Sequence, residues 1–200
     1  MHTFKGLTLV ACALLFQSTV VSAANAVGTW EATQEGSTRF LVWSGQVELL
    51  GKPTQIGLNF NSDPTHTAEL SGVIGFDLYL ASKSALAPFS FDDFEGPDAV
   101  SADRLLMHIS VTGKKSTEFA ADASPSGWSP SGSNFAFGLA APSFEPDSRE
   151  RQLVAALAAE GAEQLHIRIS DYRDPTLKLE FALPVAGQQK AFAELLAHLP

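Results

Sequence analysis

The chain has 200 residues, 45% of them hydrophobic and 18% charged, and carries a formal charge of -9 at pH 7. That is ordinary globular composition with apolar content for a sizeable core, and its acidity speaks against nucleic acid or anionic lipid surfaces as partners. With Cys12 as the single cysteine, a disulfide framework and thiolate chemistry are excluded everywhere downstream of it.

Lys5 stands in a short charged N-terminal region, followed by the apolar run Leu7-Thr8-Leu9-Val10-Ala11-Cys12-Ala13-Leu14-Leu15-Phe16. The run continues through Val20 and ends on the small residues of Val21-Ser22-Ala23. Charged region, apolar core and small-residue exit form a secretory signal, so residues 1–23 are expected to be cleaved off, with a cut after Ala26 as second choice. Gln17, Ser18 and Thr19 leave fewer than the ~18 consecutive apolar residues of a spanning helix. Leu9-Val10-Ala11-Cys12 also reads as a lipobox, whose use would anchor the protein through lipid on Cys12. The apolar core ahead of that cysteine is shorter than the ~7–15 residues such a signal needs, which favours the ordinary cut. Removing residues 1–23 takes away Lys5 and no acid, so the mature chain carries -10 and no cysteine. Its length, residues 24–200, suits a single β-rich domain.

Alternation of period two dominates the mature chain and predicts half-buried strands. Short candidates cover Thr29–Thr33, Thr38–Trp43 and Gln46–Leu50. In Gln55–Phe60, Ile56, Leu58 and Phe60 share one face. The stretch Thr67–Ala81 sets Ala68, Leu70, Ile74, Phe76, Leu78 and Leu80 on one side, with a bend or bulge expected at Gly72 and Gly75. Arg104–Thr112 repeats the pattern with Leu105, Met107, Ile109 and Val111 inward, and shorter candidates are Thr117–Ala121 and Asn134–Leu139. Between these two, Ser124–Ser133 has the composition of a turn-rich bridge.

A first helix is predicted after Pro146, capped by Asp147 with Glu150 reaching back, carrying the stripe Leu153, Val154, Leu157 and ending at Gly161. A second covers Gln188 to His198 with Phe192, Leu195, Leu196 and Leu199 at helical spacing. Between them lies a hairpin turning over Asp171–Thr176. Keeping its apolar faces together pairs Ile167 with Phe181 and Ile169 with Leu179, which sets Arg168 opposite Glu180 on the outer face.

Chemistry-bearing motifs are sparse. Gly127-Trp128-Ser129-Pro130-Ser131 lacks the closing glycine of a nucleophile elbow, and there is neither a phosphate-binding glycine loop nor a His-Glu-x-x-His pair. His66, His108, His166 and His198 are scattered singly, without the spacing of metal ligands. No cofactor and no metal are expected. The segment Phe89-Ser90-Phe91-Asp92-Asp93-Phe94-Glu95-Gly96-Pro97-Asp98 is the one candidate site. Asp92, Asp93, Glu95 and Asp98 offer oxygen ligands, but not at helix-loop-helix calcium spacing, so a solvated acidic loop is the simpler expectation. Phe91, Phe94 and Trp128, with Phe89, could form an aromatic contact patch ringed by those acids, since exposed aromatics bury much area on binding; folding back under the sheet is the commoner fate of phenylalanine and would count against the binding reading.

The expected architecture is α+β: a mainly antiparallel sandwich or open barrel with the two C-terminal-region helices packed on the sheet. The expected function is that of an exported, periplasmic or secreted, non-catalytic binding or accessory protein. It would recognise a partner protein or small ligand, with an inhibitor- or immunity-like role as one version. The alternative is an envelope hydrolase acting on glycans or esters, with two carboxylates ~5–10 Å apart, for example Asp77 and an acid of the 92–98 segment.

Overall fold

The structure, a computed structural model, describes residues 26–64, 73–81, 86–91, 107–114, 116–121, 124–128, 134–142 and 147–198. Residues 1–25, which include Cys12 and the expected signal segment, and His66 lie outside these residues. In chain order the elements are β1 (Val27–Glu35), β2 (Thr38–Leu49), β3 (Lys52–Asp63), β4 (Val73–Ala81), β5 (Met107–Gly113), β6 (Thr117–Ala121), β7 (Ser124–Trp128), β8 (Asn134–Pro142), α1 (Arg149–Ala158), β9 (Ala162–Ser170), β10 (Lys178–Pro184) and α2 (Gln189–Ala197).

The strands form two antiparallel sheets, one of six strands in the order β1-β2-β3-β4-β8-β7 and one of four in the order β10-β9-β5-β6. Among the described residues no ladder joins the two, so the α+β fold is open and not a closed barrel. Period-two alternation gives each sheet its apolar face: Leu41, Trp43, Ile56, Leu58, Phe60, Phe135 and Phe137 in the larger, Met107, Ile109, Leu165, Ile167, Leu179 and Phe181 in the smaller. All of these belong to one continuous core. α2 lies on β2 and β3, while α1 packs against α2 and reaches β4 and β8 of one sheet and β5, β6 and β9 of the other. No helix among the described residues is long and apolar enough to cross a membrane.

The β9–β10 hairpin has the register that its apolar alternation demands, with Ile167 opposite Phe181, Ile169 opposite Leu179 and Arg168 opposite Glu180. Elsewhere local composition misleads. Thr38–Trp43 and Gln46–Leu50 are not two strands but the single strand β2, which runs straight through Ser44-Gly45. Gly45 makes room instead of a turn. It stands opposite Gly28, and the wholly buried Trp43 lies against both glycines. The true turn comes at Leu50 (φ 51) and Gly51 (φ 72), two left-handed residues that close a two-residue hairpin.

Likewise β4 keeps its ladder to β3 and β8 through Gly75, where a bend is expected from sequence; Gly72 lies outside the described residues. The expected bridge 124–133 opens with a strand, β7, paired with β8 at the sheet edge. An edge tolerates Pro125, and the extra residue of a bulge between Pro125 and Gly127 absorbs the irregularity. The cap of α1 is Ser148, not Asp147. Ser148 is extended (φ -62, ψ 146) and its hydroxyl accepts from the Arg151 N–H at 3.3 Å, satisfying one of the free donors of the first turn. Gly161 (φ 85) lies beyond the helix C-cap Ala159.

The glycine pair under Trp43 gives a direct test. A Cβ on Gly45 would lie 2.5 Å from Gly28 Cα and 2.8 Å from the Trp43 ring. By contrast, one on Gly57 would meet only Tyr79, at 3.9 Å. Gly45→Ala is therefore expected to destabilise by roughly 1–3 kcal/mol through overpacking. Gly57→Ala should leave the urea unfolding midpoint unchanged or slightly raised, because alanine restricts the unfolded chain.

Candidate functional site

The segment singled out from sequence is entered through a rigid root. The turn at Leu86 is closed by the Phe89 N–H donating to the Leu86 carbonyl at 2.9 Å. Leu86, Phe89 and Phe91 are all buried. Ring follows ring from the root into the large sheet: Phe89 to Phe91 with centroids 4.9 Å apart, Phe91 to Phe135 at 5.0 Å, Phe135 to Phe137 at 4.9 Å. Each tilted pair adds about 0.5–1.5 kcal/mol beyond the area it buries.

This corrects the aromatic-patch expectation at Phe91. The side chain has 0% exposure and serves the core, so its ring is not part of any exposed surface. The physical reason is payload: a ring next to the sheet's open face gains more by covering Phe135 than by waiting in water. Asp92, Asp93, Phe94, Glu95 and Asp98 lie outside the described residues. Trp128 belongs to β7, its backbone paired with Phe135. Asp77, the other half of the carboxylate pair considered for hydrolysis, is in β4 between Asn59 and Gly138.

Sequence reasoning misses the residue that holds the root. Asp171, 3% exposed, begins the β9–β10 turn. Its Oδ2 accepts the Ser90 N–H at 2.7 Å across 81 residues of chain, while Oδ1 accepts the N–H groups of Arg173 and Asp174 at 2.9 Å each. One carboxylate thus shapes the turn and clamps the segment entrance to it. The local half of this is legible, since aspartate at the start of a turn caps the backbone two and three residues on. The long-range half leaves no trace in sequence spacing. Nearby, Asp174 is held below the usual carboxylate range, chiefly by the Thr176 hydroxyl donating to Oδ1 at 2.5 Å and also by the Thr176 N–H at 2.9 Å.

The histidines go separate ways. His198 ends α2 and donates from Nε2 to the Ser37 carbonyl at 2.5 Å, tying the helix to the β1–β2 turn. His108 and His166 lie on the outer face of the small sheet, as their alternation predicts. Among the described residues no three His, Cys, Asp or Glu side chains come together to hold a metal ion. Besides two hollows of about 490 and 340 Å³ that share Gly161, two concavities lie on the sheets. One, of about 300 Å³, separates α2 from β1 and β2 and is lined by Ala32, Gln34, Arg39, Leu41, Glu194 and Leu195. The other, of about 140 Å³, opens on the outer face of the small sheet around Ser110. No family model, curated protein or solved structure matches the chain.

Removing the clamp should loosen the root before the rest of the fold. Asp171→Ala leaves the half-buried Ser90 N–H, and the Arg173 and Asp174 N–H groups, without their acceptor, an expected cost of about 1–3 kcal/mol. Hydrogen exchange should accelerate first at Ser90, Arg173 and Asp174, while the β2–β3 amides stay protected. Phe91→Ala, which empties a core position, is expected to cost about 3–5 kcal/mol and to lower the melting temperature of the whole molecule. Uniform exchange in both variants would contradict the clamp.

Proposed function

We propose that the protein is an exported, non-catalytic binding protein of the cell envelope, recognising a basic partner protein through the acids of the 92–98 segment. The carrying observation is the pinned root: Phe91 is locked in the core and Ser90 is clamped to Asp171, so the chain enters the acidic segment from a fixed point. Fixing the base of a recognition loop in advance lowers the ordering cost paid on binding. With Phe91 inside, charge rather than an aromatic anchor carries the contact. Asp92, Asp93, Glu95 and Asp98 would meet lysines and arginines, and the charge of -10 that remains without Lys5 would steer such a partner inward. An inhibitor or immunity factor that covers a basic active site fits this chemistry. The secretory pattern of residues 1–23 gives the address.

Two measurements test this. The intact mass of the protein recovered from the envelope should correspond to a chain starting at Ala24; a chain retaining residues 1–23 would refute export by cleavage. Mature protein immobilised against envelope extract should retain a partner that high salt releases. The variant Asp92→Asn/Asp93→Asn/Glu95→Gln/Asp98→Asn should keep its fold by circular dichroism and retain nothing. Equal retention by both proteins, or none by either, refutes recognition by this segment.

A further inference from the structure

The outer face of the small sheet carries a polar bowl in which the acidic segment has no part. β9 and β5 run side by side there, with Arg168 opposite His108 and His166 opposite Ser110, while Glu180 of β10 stands opposite Arg168. His108, Ser110, Thr112, His166 and Arg168 are all half-buried, and with Glu180 they line the 140 Å³ concavity. Ser110 is the small residue at its centre, between His108 and Thr112 along β5 and in register with His166 of β9 on one side and Glu118 of β6 on the other. Pockets for drug-sized ligands run to ~300–1,000 Å³, so this one suits a single small group.

The donor chemistry says which group. His166 Nε2 lies 3.3 Å from Thr112 Oγ1, so its imidazole is engaged along β5 on the side away from His108. The two imidazoles therefore do not converge as a metal clamp would require. Arg168 presents five N–H donors and no acceptor. Although Glu180 is its register partner, among the described residues no carboxylate lies within ion-pair distance of its guanidinium. A half-buried guanidinium, two imidazoles and two hydroxyls form a surface rich in donors, and an acceptor-only group satisfies it best. We propose that this bowl binds a small oxyanion, a phosphate or carboxylate group, held by Arg168 with His108, His166 and the Ser110 and Thr112 hydroxyls around it. Glu180 at the rim limits the site to one such group, because a second negative charge would meet its carboxylate.

The site stands or falls independently of the acidic segment, and inorganic phosphate and acetate are the probes. Backbone amide NMR of the mature protein at fixed pH should give saturable shifts in the millimolar range, confined to residues 107–112 and 164–170. Tighter binding of phosphate assigns a tetrahedral anion and tighter binding of acetate a carboxylate; both support the site. Arg168→Gln should weaken binding about tenfold or more, since it removes the charge-assisted fork. Ser110→Leu keeps every charge but fills the floor, and should abolish binding. Both substitutions are on the outer face, so unchanged melting curves certify the fold. Shifts that do not saturate or that spread over the surface, or either variant binding as tightly as the unmodified protein, would overturn the proposal.

Discussion

Trp30 is where the two ends of the fold are held together. Its ring meets Phe192 of α2 edge-on, with centroids 5.4 Å apart at 75°, and lies 6.2 Å from Phe60 of β3. Phe60 and Phe192 complete the triangle at 5.2 Å and 89°. The indole N–H then donates to the Pro184 carbonyl, 154 residues away, at 2.8 Å. First strand, third strand, last strand and last helix therefore share one contact. Burying Phe60 and Phe192 contributes about 1.5–3 kcal/mol each, and the edge-to-face geometry adds about 0.5–1.5 kcal/mol per pair. No cysteine comes after Cys12 in the sequence, so no disulfide can do this closing. Packing must overcome the loop entropy alone.

With that corner fixed, the remaining constraints are local. The apolar face of the six-stranded sheet needs cover along its whole width, and α2 covers the β1–β3 side of it, lying on β2 and β3 and meeting Trp30 of β1. α1 extends the cover toward β4 and β8, and the loop aromatics Phe89 and Phe91 finish it at Phe135. Phe89 and Phe91, from a segment that its composition marks as an exposed acidic loop, thus belong to the core.

How much of this the sequence discloses depends on whether the controlling interaction repeats along the chain. The β9–β10 hairpin is legible to the register because the two expected apolar pairs and one charge pair agree on it. β2 reads as two strands because a glycine between apolar runs signals a turn, whereas Gly45 is there to make space for Trp43. β7 reads as a bridge because Ser, Pro and Gly dominate its composition, and an edge strand tolerates them. The Asp171 clamp and the Trp30 bond each join single residues far apart, and such contacts have no period to detect. The bowl around Ser110 belongs to the same class. Alternation assigns His108 and His166 each to an outward face, but that they flank one small residue depends on β5 pairing with β9, a neighbour 50-odd residues downstream.

The β9–β10 hairpin links the two charged features. Its turn carries Asp171, which clamps the root of the acidic segment, and its outer face carries Arg168 and Glu180. The two features work over different ranges. Recognition by the 92–98 acids would use the long-range field of an acidic chain, which draws a basic partner from beyond contact and is screened within about 8–10 Å at physiological salt. The proposed oxyanion site has to work against that same field. An anion approaching a molecule of net charge -9 is repelled at a distance and gains only on contact, through the donors of Arg168, the imidazoles and the hydroxyls. A site of that kind selects by geometry at short range, which is why the small size of Ser110 matters more to it than the sum of the surrounding charges.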